Sequence, residues 1–156
     1  MLSNALVMPH FDYASPVWSN CSSTYQSRLQ ILHNRLARTI LSADIRTPVN
    51  NMFDSLDWAT LNERWNQQLL IIVFKCLKKL GPSYLTSIFD FVHNQHDHIT
   101  RNHSSNTLII PKFKSNSGMR SFHVRGGQSW NNISPELRNN LDNMSISTFK
   151  SSINVK

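Results

Sequence analysis

Four histidines, His93, His96, His98 and His103, stand at the spacing His-x2-His-x-His-x4-His. Neutral imidazoles this close in sequence are donors of the kind that zinc and copper sites use. The stretch around them holds no cysteine and is rich in Asn and Ser, so they are expected to be solvated side chains, with no metal assigned. Template-directed polymerisation would need carboxylates that hold two metal ions between a primer hydroxyl and an incoming triphosphate. No adjacent Asp-Asp pair occurs: Asp12, Asp44, Asp54, Asp57, Glu63, Asp90, Asp97, Glu136 and Asp142 are scattered. Of the four glycines, Gly126-Gly127 form the only cluster, expected to be a turn rather than a phosphate-cradling loop. Ser and His are abundant, but no nucleophile-elbow motif arranges them for acyl transfer. The expectation is a chain that is not an enzyme and has no catalytic residues, cofactor or small-molecule substrate.

Cationic side chains are the chemistry that remains. Sixteen Lys and Arg against nine Asp and Glu leave a formal charge of +7, which favours polyanions such as nucleic acid or an anionic membrane surface. The bias is local. Residues 13–43 contain no acid and carry Arg28, Arg35 and Arg38, and residues 99–135 contain none and carry Arg101, Lys112, Lys114, Arg120 and Arg125.

These groups need elements to position them. Tyr25, Leu29, Leu32, Leu36 and Ile40 recur at steps of four, three, four and four, the pattern of one buried face on a helix over residues 24–42. On that helix Arg28, Arg35 and Arg38 fall within an arc of roughly 80° beside the stripe, either as a solvated face or as one turned toward phosphates. Thr47-Pro48 opens a short helix to about Ser55. Thr60-Leu61-Asn62-Glu63 has capping-box spacing and begins the longest helix, striped by Leu61, Trp65, Leu69, Ile72, Cys76 and Leu80 and so apolar in its middle that it must be largely buried. Gly81-Pro82 is expected to end it, with Gly81 in the left-handed cap, and Lys75, Lys78 and Lys79 complement the dipole of its last turns. Another short helix fits residues 83–92.

The polar stretch 93–106 reads as a surface loop and the best internal boundary. Beyond it, Thr107-Leu108-Ile109-Ile110 before Pro111 suggests an edge strand, which Phe122-His123-Val124 would pair with. Ser134-Pro135 marks a helix start, and Ser147-Thr148-Phe149-Lys150 a weak terminal helix. Trp18, Trp58, Trp65 and Trp130 lie within or beside apolar patterns and are expected to be packing anchors rather than base-stacking platforms. The fold class expected is mainly α: a helical bundle over residues 1–92, a loop at 93–106, and a small part at 107–156 with short strands or turns.

Cys21 and Cys76 are isolated, which points away from a disulfide framework. Leu6-Val7-Met8 before Pro9 is too short for a signal-peptide core, and the longest strongly apolar run, Leu69 to Phe74, cannot span a bilayer. An intracellular, soluble chain is expected, in which Asn-x-Ser sites such as Asn20 and Asn132 meet no glycosylation machinery.

Several landmarks follow one another along the chain. They are Pro9-His10-Phe11-Asp12-Tyr13-Ala14-Ser15-Pro16-Val17-Trp18, Leu29-Gln30, Asn34-Arg35, Arg38, Ile40, Thr47-Pro48, Leu56-Asp57-Trp58, Leu61, Arg64, Phe74-Lys75, Gly81-Pro82-Ser83-Tyr84-Leu85, Trp130-Asn131 and Phe149-Lys150. In order and gaps they resemble the C-terminal region of reverse transcriptases from Jockey- and CR1-like non-LTR retrotransposons. Two departures are His33, where that family usually has Gln, and Ile133-Ser134-Pro135 in place of the commoner Leu-Pro. The resemblance implies a thumb-like helical part with a smaller closing part. It further implies that fingers, palm and endonuclease would lie before Met1, as in a parent reverse transcriptase from which this chain is a truncated copy or gene fragment. The segment would support the polymerase palm and hold RNA or an RNA/DNA hybrid by its backbone, through Arg28, Arg35, Arg38, Lys112, Lys114, Arg120 and Arg125, with affinity but no sequence readout. The rival is a structural or protein-interaction module with no nucleic-acid binding of its own, which exposed apolar surface on Leu2, Leu6, Phe11 or Trp18 would favour.

Overall fold

A computed structural model describes residues 5–94 and 106–153. They are mainly α-helical, as expected. The helices are α1 (Met8–Asp12), α2 (Ser15–Trp18), α3 (Ser23–Leu41), α4 (Val49–Leu56), α5 (Leu61–Leu77), α6 (Ser83–Thr86), α7 (Asn116–Met119), α8 (Phe122–Asn132), α9 (Pro135–Asn139) and α10 (Ile146–Ile153). Single 3-10 turns lie at Val92–Asn94 and Leu141–Asn143. Most of the expected polar boundary, with His96, His98, Arg101 and His103, lies outside the described residues.

Two compact units form, residues 5–66 and 67–153 of the described chain. The division falls inside α5, because successive turns of α5 serve different cores. Leu61 and Trp65 belong to one, with Met8, Phe11, Ala37, Met52, Phe53 and Trp58. Leu70, Val73, Phe74 and Cys76 belong to the other, with Phe89, Leu108, Trp130, Leu141, Phe149 and Ile153. Three of the four tryptophans, Trp58, Trp65 and Trp130, are buried in these cores, and Trp18 packs edge-on against Trp65 at 5.2 Å between ring centroids.

The start of α5 is the expected capping box. Thr60 N–H donates to Glu63 Oε2 at 2.8 Å, and Glu63 N–H donates to Thr60 Oγ1 at 3.4 Å. Its end differs from expectation. The helix stops at Leu77, Leu80 is exposed, and the left-handed residue is Lys79 with φ of 57°, not Gly81. Lys79 N–H donates to Cys76 O and Leu80 N–H to Lys75 O, the two bonds that close a helix through a left-handed residue. Ser42 (φ 48°) closes α3 and Asp57 (φ 53°) closes α4 in the same way. A glycine-poor chain thus ends its three longest N-terminal helices on residues that carry a Cβ, each at a cost of about 1 kcal/mol relative to glycine.

In the second unit, Phe122-His123-Val124 is not a strand. It opens α8, whose first turn is capped by Ser121 Oγ accepting from Val124 N–H at 3.4 Å. Gly126-Gly127 is not a turn but the buried middle of that helix. A Cβ on Gly126 would lie 2.9 Å from Val73 Cγ2 and 3.0 Å from Phe89 Cζ, and one on Gly127 3.3 Å from Ile110 Cγ1. Close approach of backbone to those side chains is what the glycines permit. The expected edge strand is reduced to one antiparallel bridge, Phe91 with Leu108, so its partner precedes it instead of following it. The Trp130-Asn131 pair holds this segment: Asn131 Oδ1 accepts from Leu108 N–H and Asn131 Nδ2 donates to Leu108 O, both at 2.9 Å. Trp130 Nε1 donates to Asn106 O at 2.9 Å, and Arg138 Nη1 to Thr107 Oγ1 at 3.0 Å.

Candidate nucleic-acid interface

The helix α3 runs over the span its apolar spacing predicts, but a different face is buried. His33 and Ala37 are the residues of α3 fully removed from solvent, while Tyr25 is 58% and Leu32 50% exposed. At 100° per residue the buried face is turned by roughly 90° from the expected stripe. Polar side chains hold it down. Gln26 Nε2 donates to Ser19 O at 2.8 Å, Gln30 Oε1 accepts from Leu61 N–H at 3.0 Å, and Gln30 Nε2 donates to Asn34 Oδ1 at 2.8 Å. His33 fills an aromatic box, stacked on Trp58 at 4.9 Å and tilted against Phe53 at 5.0 Å and Phe11 at 5.7 Å. Neither ring nitrogen of His33 has a hydrogen-bond partner. Burial first, then the nearby Arg64 guanidinium, lowers its pKa from 6.5 to about 4, against a smaller upward pull from Asp12. Asp12 and Arg64 themselves form a two-pronged ion pair, and Trp65 Nε1 donates to Phe11 O at 3.0 Å.

Leu29, Leu36 and Ile40 pack at the margin of this core, so the expected stripe survives only in part. The rest of it joins the outer face. There Arg28 and Arg35 are exposed, with Tyr25, Ile31 and Leu32 on either side of them. The Arg28 guanidinium lies 5.8 Å from the centroid of the Tyr25 ring. Arg38 is half-buried, and its Nε is sealed from solvent without a hydrogen-bond partner. With no acid anywhere on α3, this face can attract anions and offer apolar surface between the cations.

The second set of cations lies in the other unit. Lys112 and Lys114 are exposed on the irregular segment before α7, Arg120 is exposed just after α7, and Arg125 is half-buried in the first turns of α8. Sequence proximity is what groups these four.

Elsewhere the second unit carries an open cleft of about 540 Å3, lined by Cys76, Lys79, Phe89, Asp90, Phe91 and Asn94 among others. Burial pushes the Cys76 thiol pKa up, away from the thiolate that a nucleophile needs. Burial lowers the His123 pKa, opposed by Asp90 and by a backbone hydrogen bond at Ile109. Among the described residues no group of three or more His, Cys, Asp or Glu is placed to hold a metal ion, and no helix is long and apolar enough to cross a membrane.

In comparisons with known proteins, no family model, no curated protein and no solved structure matches the chain.

Proposed function

We propose that this chain is a non-catalytic C-terminal part of a non-LTR retrotransposon reverse transcriptase, and that it contacts the backbone of RNA or of an RNA/DNA hybrid while supporting the polymerase palm. The observation that carries the contact is the outer face of α3, where Arg28 and Arg35 stand exposed on a helix without a single acidic residue. Lys112, Lys114, Arg120 and Arg125 would add positive field from an acid-free stretch of the second unit. Neutralising phosphates releases counterions, so affinity should fall linearly in log-log form as salt rises. Replacing Arg28, Arg35 and Arg38 with alanine should flatten that line by about two slope units for RNA, at about 0.7 for each phosphate that is no longer neutralised. An unchanged slope in a titration from low to physiological salt would remove the three from the interface.

A second proposal, an interaction module that binds protein rather than nucleic acid, is favoured by exposed apolar surface in the first unit. Leu6 is 63% exposed, and Tyr13, Val17 and Ile45 are more so. Of the residues that would mark such a surface, Phe11 is instead buried and Trp18 half-buried, and Leu2 lies outside the described residues. Isolated chain that binds no RNA at low salt would decide for this second function.

A further inference from the structure

Resting on the nucleic-acid function just proposed, we infer that the outer face of α3 takes unpaired nucleotides, with Tyr25 as a stacking platform for a base and Arg28 and Arg35 as backbone contacts.

A duplex offers phosphates on its outside and hides the faces of its bases in the stack. A helix face meant for duplex alone gains from cations and nothing from large apolar side chains between them. On α3 the exposed cations are interleaved with apolar groups. Going round the helix, Arg35 and Arg28 lie between Ile31 on one side and Leu32 and Tyr25 on the other, all within an arc of roughly 120° at 100° per residue. Tyr25, Ile31 and Leu32 are 58%, 49% and 50% exposed. The guanidinium of Arg28 already rests near the face of the Tyr25 ring, at 5.8 Å from its centroid, and so limits the ring's freedom before any base arrives. An exposed aromatic ring beside an arginine, on a helix without acids, combines the positive charge and the stacking face by which proteins bind single strands with little sequence preference, because every base has a π-face. Charge complementarity names the occupant as an anion, and the exposed aromatic and aliphatic surface names it as one with unpaired bases. Along the helix, Tyr25 and Leu32 are seven residues apart, about 10 Å at 1.5 Å per residue, which gives room for more than one nucleotide.

Fluorescence anisotropy of the full chain, titrated onto a labelled 12-nucleotide uridine strand and onto a 12-base-pair RNA duplex at equal salt, tests this directly. Tyr25→Ala should weaken single-strand binding by about five- to 150-fold, the range for loss of one stacked base, and change duplex binding less than twofold. Tyr25→Phe should behave as wild type. Independently of any variant, photo-cross-linking of wild type to a strand carrying 4-thiouridine should place adducts within residues 25–32. Equal effects of Tyr25→Ala on both nucleic acids, or on neither, would overturn the inference, as would adducts confined to other segments. In that case an intact salt dependence through the arginines would leave the proposed function standing. Absence of binding to both nucleic acids at low salt would end both. If Tyr25→Ala abolished self-association in sedimentation velocity while single-strand affinity held, the face would belong to a protein partner and the inference would fall.

Discussion

His33 concentrates the physical contradictions of the first unit in one side chain. It is a titratable group with no exposed surface, no partner for either nitrogen, and three aromatic neighbours. It is therefore stable there only as the neutral imidazole. The folded pKa of about 4 lies below the ordinary 6.5, so the unfolded chain binds the proton first. Stability from the neutral ring is fully present above pH 6.5 and is lost as pH falls toward 4, by about 2 kcal/mol between pH 7 and pH 5. Arg64 and Asp12 are the charged groups beside it: the guanidinium opposes the imidazolium, and the Asp12 carboxylate, paired with Arg64, favours it too weakly to offset burial. Denaturant midpoints measured across that range should show the loss in wild type and a flatter profile in His33→Gln. Equal pH profiles would acquit His33. The same burial that lowers the pKa of this ring acts in the same direction on His123.

At the scale of elements, close backbone approach and backbone clamping organise the second unit. The helix α8 carries two glycines in its middle, where helix propensity alone favours alanine by about 1 kcal/mol. Packing reverses that preference. The methyl of a Gly126→Ala variant would meet Val73 Cγ2 at 2.9 Å and the Phe89 ring at 3.0 Å, so the substitution should destabilise by about 1–3 kcal/mol despite the better propensity. Thermal or chemical denaturation reads this directly, and a stabilised variant would refute the packing account. Beside it, the paired amide of Asn131 satisfies both backbone groups of buried Leu108. One short bridge could not hold that segment by itself. Phe74 and Phe149 stack at 4.2 Å between centroids. Such pairings, with Asp12–Arg64 and Trp65–Phe11 in the other unit, give many of the sequence landmarks structural work in core or clamp, whereas Arg28 and Tyr25 face outward.

For the whole molecule, separate cores mean separate responses. The first unit contains fully buried His33 with no hydrogen-bond partner on either ring nitrogen, whereas the described histidines of the second unit, His93 and His123, are half-buried, His123 with Asp90 nearby. Acid should therefore weaken the first unit more than the second. Amide hydrogen exchange, corrected for intrinsic rates, should show protection in α3 falling about tenfold or more between pH 7 and pH 5, since 1.4 kcal/mol is a factor of ten. Protection in α8 should fall less. A uniform change would mean that the two cores open together.

Local chemistry settled what depends on neighbours in sequence. The Thr60/Glu63 capping box, the start at Ser134-Pro135 and the length of α3 were all readable, because caps and periodicity act over one or two turns. The arginines were readable too, as cations on one helix without acids. The sequence alone did not determine which side of α3 faces the core. Apolar spacing gives no weight to Gln26, Gln30 and His33, yet their hydrogen bonds and ring packing turn that side inward and leave Tyr25 and Leu32 beside the arginines. The Gly126-Gly127 helix and the Phe91–Leu108 bridge were hidden for a related reason. A glycine chosen for the room that Val73 and Phe89 need, or a bridge residue clamped by a distant Asn131, leaves no local signal, and only tertiary packing decides it.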